Sequence, residues 1–559
     1  MKQRLSLLLL AFTIAFFLVI CKLFYWQIID AKRLAILAAA QYRTKRETSA
    51  SRGKILSQDN YPLVLNTKAY LLYVNPQSLE MSPFELADKL KSFIDVEKID
   101  FKAVSDKKYL WYPLAKQVST ETKEEIEKLK IDALGFEESE VRFYPEGSSS
   151  AQFLGFVGED EAGKKKGYFG LEGYYDHEVR GKEGAKYYEK DALGRPISLT
   201  QVFEEKPIAG RNLVLNLDRS LQFFAEQHLK KGIEKSGAIS GSVVVMDPHS
   251  GAVLAMAAYP SYDPARYFLY DEDLFRNPVI SSSFEPGSIF KVVAMSAGID
   301  SGAVRPADTC PICSGPRQIY DYSIKTWNEK YYPNSSMTDI IVHSDNVGMT
   351  YVSEKMGLNR FYDYLKKFGI GERTGIDLQG EIAPPLREKK DWREIDLATA
   401  SFGQGIAVTP IQILTAVSAI ANGGTLYQPQ VVKKIFEDSG SITINPVVRG
   451  KPISANTAKA VTEMMVAMVE NNNTRNYRPE GYRIAGKSGT AQIPVVGKYD
   501  PTKTNTSFIG FAPADNPRFS MLVTLREPKS SQWAEATAAP IWFDIAKEIF
   551  RLWEIPPSE

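Results

Sequence analysis

The run Leu5 to Cys21, LSLLLLAFTIAFFLVIC, carries no charge and constrains this chain more than any other stretch. As a helix rising about 1.5 Å per residue it would be ~25 Å long, close to a ~30 Å hydrocarbon core. The apolar text resumes after Lys22 as Leu23-Phe24-Tyr25-Trp26, then Ile28-Ile29. Lys22 can snorkel, and Tyr25 and Trp26 suit the far interface. Lys2 and Arg4 precede the span, which keeps the N-terminus cytoplasmic. A cleaved signal peptide is the competing reading. Ala38-Ala39-Ala40 resembles a cleavage site, but it lies too far beyond the apolar core. The expectation is a permanent anchor over 5–29, a cytoplasmic tail over 1–4, and an extracytoplasmic remainder. Free thiols and ATP are scarce there, which argues against a nucleotide-driven activity.

Composition narrows what the remainder can be. With 68 Lys+Arg against 67 Asp+Glu there is no basic excess, which excludes nucleic-acid binding by bulk charge. A chain with 44% hydrophobic and 24% charged residues folds into globular domains. Three cysteines exclude a disulfide scaffold. Four histidines, none within ligand spacing of another, argue against a histidine-based metal enzyme. No cofactor and no metal are expected.

Residues 30–58 are polar and basic-leaning, as suits a stalk leaving a membrane. From about 60 to 209, strand-like runs such as Tyr70 to Val74 alternate with charged helical ones such as Glu121 to Lys130. Pro207 and Gly210 punctuate the end of that region. Next come a strand over Asn212 to Asp218 and a helix from Ser220 to about Lys235. A hairpin follows, with Gly241 to Asp247 and Ala252 to Ala257 flanking Pro248-His249-Ser250-Gly251. Strands over Ser507 to Ala512 and Phe519 to Leu525, then a helix from Pro540 to about Trp553, close the chain. Strands at both ends with helices between predict an α+β domain whose sheet brings its termini together.

A serine made nucleophilic without histidine needs another base, and Ser-x-x-Lys supplies one on the same helical face. The pattern occurs at Ser51, Ser105 and Ser288. The first two lie in charged text that reads as solvated loop. Ser288 follows Pro286-Gly287 and leads into apolar Ile289-Phe290 and Val292 to Met295, which predicts the start of a buried helix. Lys291 would then be desolvated and its pKa lowered. By itself the motif reads equally well as an N-cap serine followed by a surface lysine.

Two further patterns tip that balance. Ser344-Asp345-Asn346 offers a hydroxyl and an amide that can point into one cleft, and Lys487-Ser488-Gly489-Thr490 lies in a strand-like run from Arg483 to Ile493. Gly489 leaves room for another backbone or a substrate. Ser454-Ala455-Asn456 also fits the second pattern, but Pro452 before it and an amphipathic run after it mark a helix cap. Lys235-Ser236-Gly237 reads as a helix end with a glycine C-cap. Cys310-Pro311-Ile312-Cys313 reads as a structural loop feature, bridged or free. A zinc half-site with His343 lacks a fourth ligand, and His343 itself reads as a packed loop residue.

The ordered triple Ser-x-x-Lys, Ser-x-Asn, Lys-Ser-Gly-Thr is the set found in penicillin-binding proteins and class A β-lactamases. The chain resembles the class B penicillin-binding proteins, the monofunctional peptidoglycan D,D-transpeptidases, over nearly its whole length. Arg52-Gly53-Lys54-Ile55 with Pro62-Leu63 resembles the family's N-terminal box, although Ser57-Gln58 replaces its usual Asp-Arg. Tyr144-Pro145, Gly155 to Gly158, Gly170-Leu171-Glu172 and Gly181 to Gly184 resemble pedestal boxes. Met246 to Met256, Glu285 to Ser288, Phe402 to Gly405 and Phe508 to Pro513 resemble the catalytic boxes.

The resemblance implies a bacterial plasma-membrane protein with stalk and pedestal over 30–209. A penicillin-binding, serine β-lactamase-like domain would follow over 210–559, with a five-stranded antiparallel sheet among helices. It implies that Ser288 is acylated by a D-Ala-D-Ala stem peptide and that Lys291 takes its proton. Ser344 and Asn346 would relay protons and hold peptide. Lys487 would keep Lys291 neutral and attract the substrate carboxylate, which Ser488 or Thr490 also binds. Backbone N–H groups of Ser288 and Thr490 would form the oxyanion hole, with Gly489 grouped with Ser488 and Thr490 as a substrate-binding or oxyanion residue. β-Lactams would inhibit covalently. The implied partners are a SEDS-type membrane glycosyltransferase and the division complex, and the Phe284 to Lys291 text resembles the division type more than the elongation type.

A β-lactamase would need a deacylating carboxylate and has no use for a pedestal. A β-lactam receptor would need a cytoplasmic domain. A silent scaffold would be expected to lose part of the triple.

Overall fold

The N-terminal apolar run forms one helix over Lys2–Phe24, continued by a π-helical turn over Tyr25–Ile29. In this computed structural model, which describes residues 2–189, 203–437, 440–495 and 498–558, it is the one helix long and apolar enough to cross a membrane. None of its residues is buried against protein. Of the tail ahead of the span, Met1 lies outside the described residues. A second apolar helix, Pro410–Ala421, has the opposite setting: every one of its residues is buried. It is apolar on all sides because protein surrounds it, and it is too short to span a bilayer.

The chain divides into two units, Met1–Arg52 with Arg180–Gly210, and Gly53–Val179 with Arg211–Glu559. In the first, Arg43–Thr48 pairs antiparallel with Gly184–Glu189, which pairs in turn with Phe203–Glu205. The second holds a mixed seven-stranded sheet and the five-stranded sheet. In the mixed sheet the long strand Pro62–Val74 pairs with both Tyr112–Val118 and Leu134–Phe143. Leu72, Val74, Leu86, Leu90 and Ile126 pack beneath those strands in a small core of their own.

The expected strand near Asn212 exists, shortened to Asn212–Leu215, but it does not join the five-stranded sheet. It runs parallel to Ile55–Leu56 and antiparallel to Val432–Glu437. Leu213 and Leu215 are fully buried there, so the apolar side chains that mark the strand are used in the other sheet. The five-stranded sheet starts later. Its strands are β1 (Ser240–Met246), β2 (Val253–Tyr259), β3 (Ala485–Val495), β4 (Lys498–Ala512) and β5 (Phe519–Arg526). Their order is β2-β1-β5-β4-β3, antiparallel throughout, so a hairpin from early in the domain closes on its last strand. The α+β expectation holds with β1, not Asn212–Leu215, as the first partner.

Helices cover both faces. α1 (Arg219–Ser236) is capped by Asp218, whose carboxylate accepts from the Leu221 N–H, and ends at Gly237 with φ +65°. That left-handed glycine accounts for Lys235-Ser236-Gly237 as a helix end. α7 (Ala538–Leu552) drives Trp542 and Phe543 against Phe508 of β4, with Trp542 Nε1 donating to Met521 O at 2.9 Å. On the other side lie α2 (Lys291–Asp300), α3 (Met337–Val342), α4 (Asn346–Met356), α5 (Pro410–Ala421) and α6 (Ala455–Glu470). Ser454 caps α6 through the Thr457 N–H, as the sequence predicts. β3 is an edge strand, so one side of Lys487 to Thr490 faces the start of α2 instead of a sixth strand.

Candidate active site

Ser288 sits in a short 3-10 turn, Gly287–Phe290, that runs directly into α2. Three residues per turn put Ser288 and Lys291 on one line. The turn is held from behind: Gly287 N–H donates to Gly403 O at 3.0 Å, and Gly405 N–H donates to Glu285 Oε1 at 3.0 Å. Gly403 (φ +81°) has no room for a side chain, since a Cβ there would fall 2.2 Å from Gly287 O. The surface-lysine reading of Ser-x-x-Lys is excluded, because Lys291 is fully buried. Ser51 and Ser105 are exposed, and Ser105 Oγ donates to Phe101 O at the end of a five-residue helix.

The loop between α3 and α4 supplies the second motif. Asp345 is buried and accepts from Val347 and Gly348 N–H at 2.8 and 3.2 Å, which starts α4 immediately after it. Ser344 takes a left-handed conformation, φ 55°. This brings three oxygens around Lys291 Nζ: Ser344 O at 2.5 Å, Asn346 Oδ1 at 2.8 Å and Ser344 Oγ at 3.2 Å. Asn346 is oriented in turn by its Nδ2, which donates to Lys325 O at 3.0 Å. Ser288 Oγ is not among the partners of Nζ. Catalytic hydrogen bonds commonly tighten only when substrate is bound.

The third motif lies on β3. Lys487 is fully buried, with Nζ donating to Ser488 O at 2.9 Å. A Cβ on Gly489 would stand 2.7 Å from Ile289 Cγ2 and 3.0 Å from Ile289 N. The glycine therefore lets the strand lie directly against the Ser288 turn. The neighbours are the Ile289 side chain and the Ile289 and Pro286 backbone, so a close approach of chain, one of the two alternatives open in the sequence, is present. Thr490 Oγ1 accepts from Ala534 N–H at 3.1 Å.

Both lysines are shifted, and the causes are physical. Burial, then the neighbouring Lys487 charge, pushes the Lys291 amine well below the usual lysine range, while Asp345 acts in the opposite sense. Burial brings Lys487 down to about 8, against an upward pull from Glu535. A buried amine beside a second cation loses its proton readily, which makes it a base near neutral pH.

Ser288, Ser344, Ser488 and Thr490 line a single cleft of about 290 Å³. Lys291, Asn346, Lys487 and Gly489 form its supports. The rest of the lining was not legible in the sequence: Trp327, Asn473, Tyr477, Trp533 and Glu535 come from three distant segments with no shared motif. Only the topology brings them together. Cys310 and Cys313 form a buried disulfide, and His343 stacks on Tyr332 with ring centroids 3.9 Å apart. Among the described residues no cluster fit to hold a metal occurs.

A serine turn against a sheet edge, with a buried lysine pair behind it, defines an enzyme of serine acyl transfer. Residues 241–551 match the penicillin binding protein transpeptidase domain, and residues 47–215 the penicillin-binding protein dimerisation domain. Over 556 residues the chain is 31% identical to the stage V sporulation protein D of Bacillus subtilis, covering 98% of this chain and 85% of that one. It is 28% identical over 524 residues to the peptidoglycan D,D-transpeptidase FtsI of Escherichia coli K12, covering 92% and 85%. The crystal structure of penicillin binding protein 2X from Streptococcus thermophilus aligns with TM-score 0.75 at 26% identity, covering 91% of this chain and 80% of that one. The chain belongs to the class B penicillin-binding proteins. It is a serine-type D,D-transpeptidase with a dimerisation domain ahead of its catalytic domain.

Proposed function

We propose that this transpeptidase crosslinks peptidoglycan in septal wall synthesis, with Ser288 as the acylated residue. The observation that carries this reading is the convergence of three separate motifs on one cleft, with a desolvated Lys291 beneath the serine turn. Ser288 Oγ attacks the penultimate D-Ala carbonyl, and its proton passes to the neutral Lys291 amine. N–H groups of Ser288 and Thr490 stabilise the oxyanion, a type of contact commonly worth about 10²–10³ in kcat. Ser344, already touching Lys291 Nζ, passes a proton to the leaving amine as the C–N bond breaks. Terminal D-Ala departs and an ester remains on Ser288. The amine of a second stem peptide then attacks that ester, forms the crosslink and returns the proton to Ser288. Lys487, with Ser488 or Thr490, binds the donor carboxylate. β-Lactams acylate the same serine and stay.

The Lys2–Ile29 helix anchors the chain with its N-terminus in the cytoplasm, residues 30–209 form stalk and pedestal, and 210–559 form the catalytic domain. The septal role rests on the likeness to the peptidoglycan D,D-transpeptidase FtsI and to the stage V sporulation protein D. A SEDS-type glycosyltransferase supplies nascent strands, contacted through the membrane helix and pedestal. Full-length protein reconstituted with such a polymerase and lipid-linked substrate should yield crosslinked muropeptides and faster polymerisation. A segment starting near residue 42 should still take up penicillin without stimulating the polymerase. Equal stimulation by both would remove the helix from the contact, and no crosslinks from the full-length protein would remove the transpeptidase reading.

A further inference from the structure

The cleft holds one carboxylate that the reaction above does not use. Glu535 belongs to the turn Ala534–Ala536 between β5 and α7. That turn is fastened to the sheet at three points. Ala534 N–H donates to Thr490 Oγ1 at 3.1 Å, Thr504 Oγ1 to Gln532 O at 3.3 Å, and Thr537 Oγ1 to Thr506 Oγ1 at 3.0 Å. The turn therefore moves with β3 and β4, and Glu535 keeps a fixed place relative to Ser288. Asn473 Nδ2 donates to Glu535 Oε2 at 3.3 Å, and both residues line the cleft. Trp327 and Trp533 stand beside them, edge to face with centroids 4.9 Å apart, and each is about half exposed.

The donor peptide ends in a carboxylate, which Glu535 repels, so the group cannot serve that end of the substrate. Glu535 pulls the pKa of the Lys487 amine upward, but Lys487 Nζ donates to the Ser488 carbonyl and not to that carboxylate. The partly buried Glu535 thus lines, together with two indole rings, the cleft that holds Ser288. Carboxylate plus aromatic faces is the chemistry that recognises an aliphatic ammonium.

The geometry points to Glu535, held by Asn473 and flanked by Trp327 and Trp533, as the recognition site for a side-chain ammonium group on the stem peptide. This inference rests on the reading of Ser288 as the acylated serine and adds to it a substrate feature, a free amine. That amine can belong to the donor peptide, on the residue preceding D-Ala-D-Ala, or to the incoming acceptor. Two arms separate these sources.

In the first arm, full-length protein is given peptides ending in Lys-D-Ala-D-Ala with the lysine ε-amine free or acetylated, and D-Ala release is measured. In the second, a thioester donor is fixed, and aminolysis is compared for a D-amino amide acceptor with and without a distal amine. In one arm the free amine should be preferred about tenfold in kcat/KM, the scale of a hydrogen-bonded ion pair in a partly dry cleft. The ratio should collapse towards one in Glu535→Gln and survive in Glu535→Asp. No preference in either arm of the wild type, or a preference that survives in Glu535→Gln, would overturn the inference. Benzylpenicillin labelling of the wild type separates the two failures. A labelled Ser288 without amine preference sinks only the Glu535 assignment, whereas an unlabelled Ser288 sinks the acyl-enzyme reading beneath it.

Discussion

Arg142 and Glu172 are buried as a pair, with Arg142 Nε donating to Glu172 Oε1 at 2.7 Å and Nη1 to Asn66 Oδ1 at 2.9 Å. Lys291 and Lys487 are buried just as deeply, yet their Nζ atoms donate to neutral oxygens. In the first region opposite charges cancel, and the pair fixes a strand, Leu134–Phe143, to a short helix, Gly170–Tyr174. In the second, burial penalises the charged form of each amine, and the Lys487 charge adds to that penalty at Lys291. Burying an ion therefore has two separate uses in one fold. Pairing it makes structure, and burying an amine without an ion-pair partner lowers its pKa into the range a base needs.

The largest effect should come from removing the base. Lys291→Ala should slow penicillin acylation by about 10²–10⁴-fold, the usual range for a lost general base, while thermal unfolding stays near the wild-type temperature. A variant that still acylates at half the normal rate would make Lys291 a structural lysine and erase the contrast.

Glu172→Ala tests the other side. It leaves Arg142 buried without its partner and should cost about 3–5 kcal/mol of stability by chemical denaturation. The acylation rate of the protein that remains folded should not change. Replacing both residues by apolar ones of similar volume should recover much of the loss, because the pair has a structural use only.

A smaller effect is expected at Lys487. Lys487→Ala should slow acylation more than Lys487→Arg, since arginine keeps the charge and changes its shape. Stopped-flow acylation across pH adds a direction. Acylation needs Lys291 neutral, so the rate falls on the acid side of its pKa. Without the Lys487 charge that pKa rises, and the acid limb should move to higher pH in Lys487→Ala. An unmoved limb, or equal effects of the two substitutions, would show that Lys487 acts only by packing.

The smallest effect is on stability against pH. Lys487 titrates at about 8 when folded and near 10.5 when free. Between those values the unfolded chain holds more protons, so stability from this group should rise with pH across that window. Lys487→Met should flatten that part of the curve.

How far these features could be read from sequence depends on range. Ser288 and Lys291 were legible because an i, i+3 pair needs only one helical turn, and Pro286-Gly287 marked where the turn begins. Ser454 and Gly237 were legible as caps for the same local reason. Asn212–Leu215 was legible as a strand but not as a member of its sheet, because pairing with Ile55–Leu56 is set by contacts far away along the chain. Glu535 left no signal. Its place in the cleft follows from the β5 to α7 turn being fastened to Thr490, Thr504 and Thr506, and no spacing in the sequence encodes that.

The measurement that bears most directly on the catalytic account is the site of acylation. Full-length protein treated with benzylpenicillin, digested and analysed by mass spectrometry should carry one acyl adduct, on the peptide containing Ser288. The adduct should vanish in Ser288→Ala and persist in Ser105→Ala. An adduct retained in Ser288→Ala, or mapped to any other serine, would contradict it.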